Sequence, residues 1–130
     1  MSRVPSLWWR VLFWAALLFA FTMAVVPIPP HLPIDNLGDK FEHMLAFATL
    51  ALLGAVAYPA TPQIRLLERL SFLGAVIEVV QSIPSLHRDC DIMDWVTDTI
   101  AVGVVLGLVW GWRQWRPRLG TRRPFSSPRP

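Results

Sequence analysis

The sequence predicts an all-α fold: a four-helix bundle, integral to a membrane, with a cluster of polar side chains near its extracytoplasmic side. Hydrophobic residues make up 54% of the 130 residues and charged residues only 16%, and the mean hydropathy is +0.45. A water-soluble domain of this length needs more polar side chains to cover its surface. The hydrophobic residues also fall into four long stretches, separated by joints that contain proline.

Each stretch is a predicted membrane span, because a helix of about 20 residues crosses the hydrocarbon core of a bilayer. The first span is interrupted only by Arg10, and we interpret it as uncleaved because it is long for a secretory signal and lacks an Ala-x-Ala site. The third is the most polar and crosses only if Arg69 extends to the headgroups and Glu78 faces protein. The predicted spans are residues 7–26, 41–58, 66–83 and 92–112.

The basic residues predict the orientation of the four spans. Ten arginines lie on the side that holds both termini, whereas only Lys40 and Arg88 lie on the other side. By the positive-inside rule, both termini are cytoplasmic. We divide the chain into a single transmembrane domain, 1–112, and a basic, disordered cytoplasmic tail, 113–130. Such a tail meets anionic lipid rather than nucleic acid, so no nucleic-acid partner is predicted.

Polar residues form one stripe on each of the last three spans. Helical geometry places Asp39 and His43 on one face of the second span, and Glu78 and Gln81 on one face of the third. At 1.5 Å rise per residue, His43 lies about 6 Å along the helix from Asp39, Glu78 about 9 Å before Pro84 and Asp98 about 9 Å after Ile92, so the three lie at similar depth. The stripes therefore predict one shared polar pocket. Its predicted binding residues are Asp39, Lys40, His43, Glu78, Gln81, Arg88, Asp91, Asp94 and Asp98.

Charge in this pocket is unbalanced. Five carboxylates face two cations, so protons, a metal ion or a cationic ligand must neutralise the excess. The simplest alternative to a functional site is that Lys40 and Arg88 pair with the carboxylates and lock the bundle.

The fourth span has a second face of small residues, Gly103, Gly107 and Gly111. A glycine at every fourth position allows another helix to approach closely. We expect a neighbour within the bundle to pack there, and a homo-oligomer through the same glycines is the alternative. The single cysteine, Cys90, excludes an internal disulfide framework.

Three polar motifs carry a resemblance to a known family. They are Asp39-Lys40-x-x-His43-x-x-x-Phe47, Gly74-x-x-x-Glu78-x-x-Gln81 and Arg88-x-x-Asp91-x-x-Asp94-x-x-x-Asp98-x-x-x-x-Gly103. In this order they resemble the VanZ-like membrane proteins, over about residues 39–107. The resemblance implies a small multi-pass protein of the bacterial cytoplasmic membrane, in a family named after a member associated with low-level teicoplanin resistance. The family commonly has Asn at the position of Asp98.

Binding is the favoured function: the pocket holds a lipid or a lipoglycopeptide, with Lys40 and Arg88 on anionic groups and the carboxylates on amines. The alternative is an intramembrane enzyme acting on a lipid-linked envelope substrate. In such an enzyme, His43 and Glu78 act as base and acid, or four side chains hold a divalent cation. The predicted ligands of that cation are His43, Glu78, Asp94 and Asp98. No cofactor is predicted, and proton-linked transport is disfavoured because the two halves show no inverted repeat.

Overall fold

The computed structural model describes residues 7–27, 33 and 37–120. These residues form four α-helices and no strand, so the all-α prediction is confirmed for this part of the chain. The helices are α1 (Leu7–Val25), α2 (Asp39–Ala57), α3 (Gln63–Gln81) and α4 (Ile92–Gly120), and a 3-10 turn at Pro84–Leu86 separates α3 from α4.

Local signals in the sequence explain where the helices begin and end. Gly38 precedes α2 with φ of 93°, a left-handed conformation that glycine adopts without strain. Asp39 and Glu42 follow in the first turn, where negative charge stabilises a helix N-terminus. Pro62 occupies the position before α3. Each helix overlaps its predicted span, and α2 and α3 begin two and three residues earlier than predicted.

The structure differs from the predicted tail at its start. Residues 113–120 continue α4, because the end of an apolar stretch is not a stop signal for a helix and arginine and glutamine are good helix formers. Arg113 Nη2 also donates a hydrogen bond of 2.6 Å to the Ala55 carbonyl of α2. The Arg116 guanidinium lies 3.7 Å from the centre of the Trp112 ring. The rest of the tail, 121–130, lies outside the described residues.

The four helices run alternately up and down. The end of α3 reaches the end of α1, where Gln81 Nε2 donates to the Ala24 carbonyl, and Lys40 at the start of α2 contacts Asp91 just before α4. We call this side of the bundle the polar end. At the other side, Phe13 near the start of α1 packs edge-on against Tyr58 after α2. We call that side the aromatic end.

Small residues let α2 pack against all three other helices. Ala51 and Ala55 of α2 are completely buried. A Cβ atom added at Gly54 would lie 3.2 Å from the Phe13 ring of α1. Between α3 and α4, a Cβ atom at Gly74 would lie 3.2 Å from the Trp95 ring. Both glycines therefore set how closely neighbouring helices approach.

Many large apolar side chains lie on the outer surface of the bundle. Three helices, α1, α2 and the Ile92–Arg116 part of α4, are long and apolar enough to cross a membrane. α3 falls short because Arg65, Glu68 and Arg69 lie in its first turns, although it also turns large apolar side chains outward. Exposed apolar side chains include Trp8, Leu18, Phe72, Val79 and Leu108.

The glycine face of α4 does not pack inside the bundle, so that expectation is wrong. A Cβ atom added at Gly103, Gly107 or Gly111 would meet no atom within 4 Å. Gly103 and Gly107 instead line a groove of about 210 Å³ between α3 and α4, with Trp110 at its edge. The reason is that the carboxylates of α4 turn toward α2, which leaves the opposite face of α4 outside.

Candidate binding site at the polar end

Five polar side chains are buried at or near the polar end, each at most 8% exposed. Every one lies on a helix, so the sequence periodicity decides which way it points. Burial of so much polarity in a small apolar bundle requires partners for each group. The five are His43, Glu78, Gln81, Asp94 and Asp98.

Lys40 joins the starts of α2 and α4. Its Nζ lies 3.2 Å from Asp91 Oδ2 and 3.1 Å from Asp94 Oδ1. The Lys40 side chain is 49% exposed and that of Asp94 only 8%. The ammonium group therefore sits at the rim of the cluster and neutralises a buried carboxylate from outside.

His43 lies between an exposed and a buried carboxylate. Its Nδ1 is 3.4 Å from Asp98 Oδ2, and its Nε2 is 4.0 Å from Asp39 Oδ1. Asp39 is 58% exposed, whereas Asp98 is 3% exposed. The imidazole thus connects the rim of the cluster with its deepest charge.

Glu78 lies beneath the loop that leads into α4. Its Oε2 accepts a hydrogen bond of 3.1 Å from the backbone N–H of Asp91. The exposed thiol of Cys90 lies beside the Glu78 carboxylate, which raises the pKa of that thiol. Glu78 is therefore buried but close to the outer surface of the loop.

Asp91 caps the N-terminus of α4. Its Oδ1 accepts a hydrogen bond of 2.9 Å from the backbone N–H of Met93, the second residue of the helix. This bond, together with the Lys40 ammonium, lowers the pKa of the Asp91 carboxyl. The cap fixes where α4 begins and thereby the positions of Asp94 and Asp98.

Arg88, the second cation, is held loosely. Its Nη2 lies 3.9 Å from Asp39 Oδ1, beyond hydrogen-bond distance, and its side chain is 14% exposed. Arg88 therefore offsets the charge of Asp39 without a direct hydrogen bond to it.

Among the described residues, three buried carboxylate oxygens accept no hydrogen bond, and one of them, Asp94 Oδ1, is compensated by the Lys40 ammonium at 3.1 Å. Two are left over. Within the described part of the chain, Glu78 Oε1 and Asp98 Oδ1 have no hydrogen-bond partner. A buried acceptor without a partner costs about 1–3 kcal/mol. Pairing of Lys40 and Arg88 with carboxylates, the simplest sequence-based alternative, accounts for the outer charges but not for these two oxygens.

Hydrogen bonds and ion pairs of the described residues join eight of the nine predicted binding residues in two groups of four, and Gln81 stands apart. Its side chain donates to the Ala24 carbonyl at 2.9 Å and so anchors the end of α1. The polar stripe of α3 covers roughly 80° of the helix circumference. A residue at the edge of this stripe can therefore contact a different neighbouring helix from a residue at its centre. Gln81 is thus placed as a link between helices, away from the charges.

Sequence reasoning missed the polar contacts that hold α3 to α4. Trp95 Nε1 donates to the Ser71 carbonyl at 3.0 Å, and Ser71 Oγ lies 2.9 Å from Thr99 Oγ1. The position of Ser71 on the polar stripe of α3 was the available signal. These bonds position Glu78 and Asp98 on facing helices.

The geometry gives little support to a metal centre or to a His43–Glu78 acid–base pair. In residues 7–27, 33 and 37–120, no three His, Cys, Asp or Glu side chains converge as a metal site would require. Over the same residues, both ring nitrogens of His43 face aspartates, and no hydrogen bond joins His43 to Glu78.

Comparison of the chain with protein-family models, with curated proteins and with solved structures finds no match. Function must therefore be inferred from the side chains of the polar end.

Proposed function

We propose that this chain is a VanZ-like protein of the bacterial cytoplasmic membrane that confers low-level teicoplanin resistance by binding an amphiphile, a lipid or the lipoglycopeptide, at its polar end. The observation that carries the proposal is the pair of buried, unpartnered carboxylate oxygens on Glu78 and Asp98. Ionisable groups inside a membrane protein are costly to insert, and such groups commonly serve function. An external ligand would supply the missing partners.

The distribution of cations favours a polar end that faces away from the cytoplasm. Lys40 and Arg88 are the basic residues at this end, whereas the arginines of the described residues gather at the aromatic end. Positive charge marks the cytoplasmic side of membrane proteins. The arginines at the aromatic end are Arg10, Arg65, Arg69, Arg113 and Arg116.

In this arrangement α3 also crosses the membrane, as the third of four spans. Its charged residues lie in its first two turns, at the aromatic end, where the long arginine side chains can reach the headgroups. Glu78 is the exception, and it faces the other helices instead of lipid. The apolar outer face of α3 includes Phe72 and Val79.

The rim of the cluster supports binding over a purely structural role. Asp39, Lys40 and Asp91 are each about half exposed, so a headgroup can reach the site without unfolding the bundle. The apolar outer faces of the helices next to the rim suit an acyl chain. Amphiphile binding uses both features.

An enzyme is the weaker alternative. A general base needs hydrogen-bond reach to the group that it deprotonates, yet the His43 ring is engaged by Asp39 and Asp98. The contacts therefore favour a binding protein.

The test is the teicoplanin susceptibility of a sensitive host that expresses wild type, Glu78→Gln or Glu68→Gln at equal membrane levels. Glu68 is the matched control because it lies on the same helix, exposed, near the aromatic end. We expect wild type and Glu68→Gln to protect the host. Glu78→Gln should return susceptibility to that of the empty vector, because the amide removes one negative acceptor.

Two outcomes contradict the proposal. Protection by Glu78→Gln equal to that by wild type excludes a role for this carboxylate in resistance. Wild type indistinguishable from the empty vector excludes the resistance function for this chain.

A further inference from the structure

We propose that the amphiphile is a membrane lipid whose headgroup carries a primary ammonium group, and that Glu78 accepts its hydrogen bonds. This inference rests on the proposed function and names the ligand of the same site. It follows from which groups of the polar end are already paired and which are not.

Lys40 is already paired, because it contacts two carboxylates within 3.2 Å. An anionic ligand at Lys40 would have to displace one of these contacts. Arg88 has no hydrogen bond to Asp39, which lies 3.9 Å away, and its side chain is largely buried. The unpartnered groups are acceptors, and they favour a ligand that donates hydrogen bonds and carries positive charge.

The net charge favours the same ligand. Even with His43 protonated, three cations face the five carboxylates Asp39, Glu78, Asp91, Asp94 and Asp98. An ammonium group placed beside these carboxylates offsets part of this excess. Protonation of the carboxylates would also reduce the excess charge, but it would not explain why the residues at the rim are half exposed.

Lys40 shows how an ammonium group fits the cluster. Its Nζ bridges Asp91 and Asp94 from the two ends of one helical turn. Glu78 Oε2 accepts a hydrogen bond from the backbone N–H of Asp91, and Glu78 Oε1 has no hydrogen-bond partner among the described residues. A second ammonium group beside Cys90 would meet the Glu78 carboxylate.

The first experiment uses the wild-type protein alone. Delipidated protein is offered phosphatidylethanolamine, its N-methyl and N,N-dimethyl derivatives and phosphatidylcholine, all with the same acyl chains, and bound lipid is measured by native mass spectrometry. The positive charge stays constant while the N–H donors fall from three to none. We expect occupancy to fall along the series, with about a tenfold weaker affinity at its end, equivalent to about 1.4 kcal/mol.

A second experiment assigns the preference to Glu78. Glu78→Gln should bind phosphatidylethanolamine and phosphatidylcholine equally, whereas the control Glu68→Gln should keep the wild-type preference. Circular dichroism and size-exclusion chromatography check that both variants fold.

Three results overturn the inference. Equal binding along the methylated series, or a preference for phosphatidylglycerol, shows that the site does not select an amine, although amphiphile binding then survives. Retention of no lipid, together with no binding of teicoplanin, removes the proposed function itself. An amine preference that persists in folded Glu78→Gln removes Glu78 as its source.

Discussion

Asp98 carries the deepest charge of the polar end, and its two carboxylate oxygens have different surroundings. Oδ2 lies 3.4 Å from His43 Nδ1, whereas Oδ1 has no hydrogen-bond partner in the described part of the chain. Removing the partner of a buried carboxylate is costly because the negative charge is left uncompensated, whereas a histidine that loses its carboxylate partner can be neutral. The two members of this pair should therefore respond differently to mutation.

We expect His43→Ala to lower the free energy of unfolding by about 3 kcal/mol, because it leaves the Asp98 carboxylate buried without its partner. Asp98→Asn should cost little, since the amide oxygen still accepts from His43 and no charge is buried. Thermal unfolding in detergent micelles measures both variants.

A double-mutant cycle separates charge from packing in this pair. If the loss in His43→Ala comes from the uncompensated charge, adding Asp98→Asn should recover part of it. If His43→Ala lowers the free energy of unfolding equally in the wild-type and the Asp98→Asn background, this explanation is contradicted. The effect would then come from the lost volume of the imidazole.

The sequence predicted much of the cluster because helical periodicity alone orients its residues. Asp94 and Asp98 lie one turn apart, and both contact α2, through Lys40 and His43. Periodicity does not determine which neighbouring helix faces the edge of a polar stripe. Gln81 therefore contacts α1 rather than the charges.

At the scale of the helices, some glycines lie in tight helix–helix contacts and others face open space, and the spacing of glycines in the sequence does not distinguish the two. Gly74 lies in a tight contact, where a Cβ atom would be 3.2 Å from Trp95, whereas Gly107 faces open space. The Gly-x-x-x-Gly spacing predicted close packing for the second site, but the carboxylates on the opposite face of α4 determine its orientation. Side-chain charge outweighed spacing here.

We expect Gly74→Leu to lower the free energy of unfolding by about 1–3 kcal/mol, because the added side chain forces α3 away from α4. Gly107→Leu should leave it unchanged or raise it by up to about 1 kcal/mol, since glycine weakens a helix interior. Thermal unfolding of both variants in the same detergent checks this pair. An equal loss in both would show that the face of Gly107 is also packed.

The homo-oligomer through Gly103, Gly107 and Gly111 stays a prediction. The open groove beside Gly103 and Gly107 leaves room for another helix, and the mass of wild type compared with Gly107→Leu in nanodiscs tests it. A single mass for both, equal to one chain, would contradict an oligomer.

For the whole molecule, the two ends of the bundle differ in chemistry. Six of the seven tryptophans lie at the aromatic end, where Trp14 Nε1 donates to the Tyr58 hydroxyl at 2.8 Å and Arg10 lies 5.3 Å from the Tyr58 ring centre. Tryptophan and tyrosine gather at membrane interfaces, and arginine at the cytoplasmic one. The proposed orientation follows from this asymmetry, and Cys90 allows a direct test.

Cys90 is the only cysteine of the chain and is exposed at the polar end. A membrane-impermeant maleimide should label it in intact spheroplasts. Because Glu78 raises the pKa of this thiol, less thiolate is present at neutral pH and labelling should be slow there. The rate should rise as the pH is raised toward the thiol pKa, and Glu78→Gln should label faster at neutral pH than wild type does.

The matched control moves the thiol to the other side. A Cys90→Ser chain that carries Ser126→Cys in its C-terminal tail should be labelled only after the membrane is permeabilised, because both termini are proposed to be cytoplasmic. The reverse pattern would place the polar end in the cytoplasm, where a lipoglycopeptide outside the cell cannot reach it. Labelling of wild type in intact spheroplasts at mildly alkaline pH, with the tail protected, would place Glu78 on the side from which teicoplanin arrives.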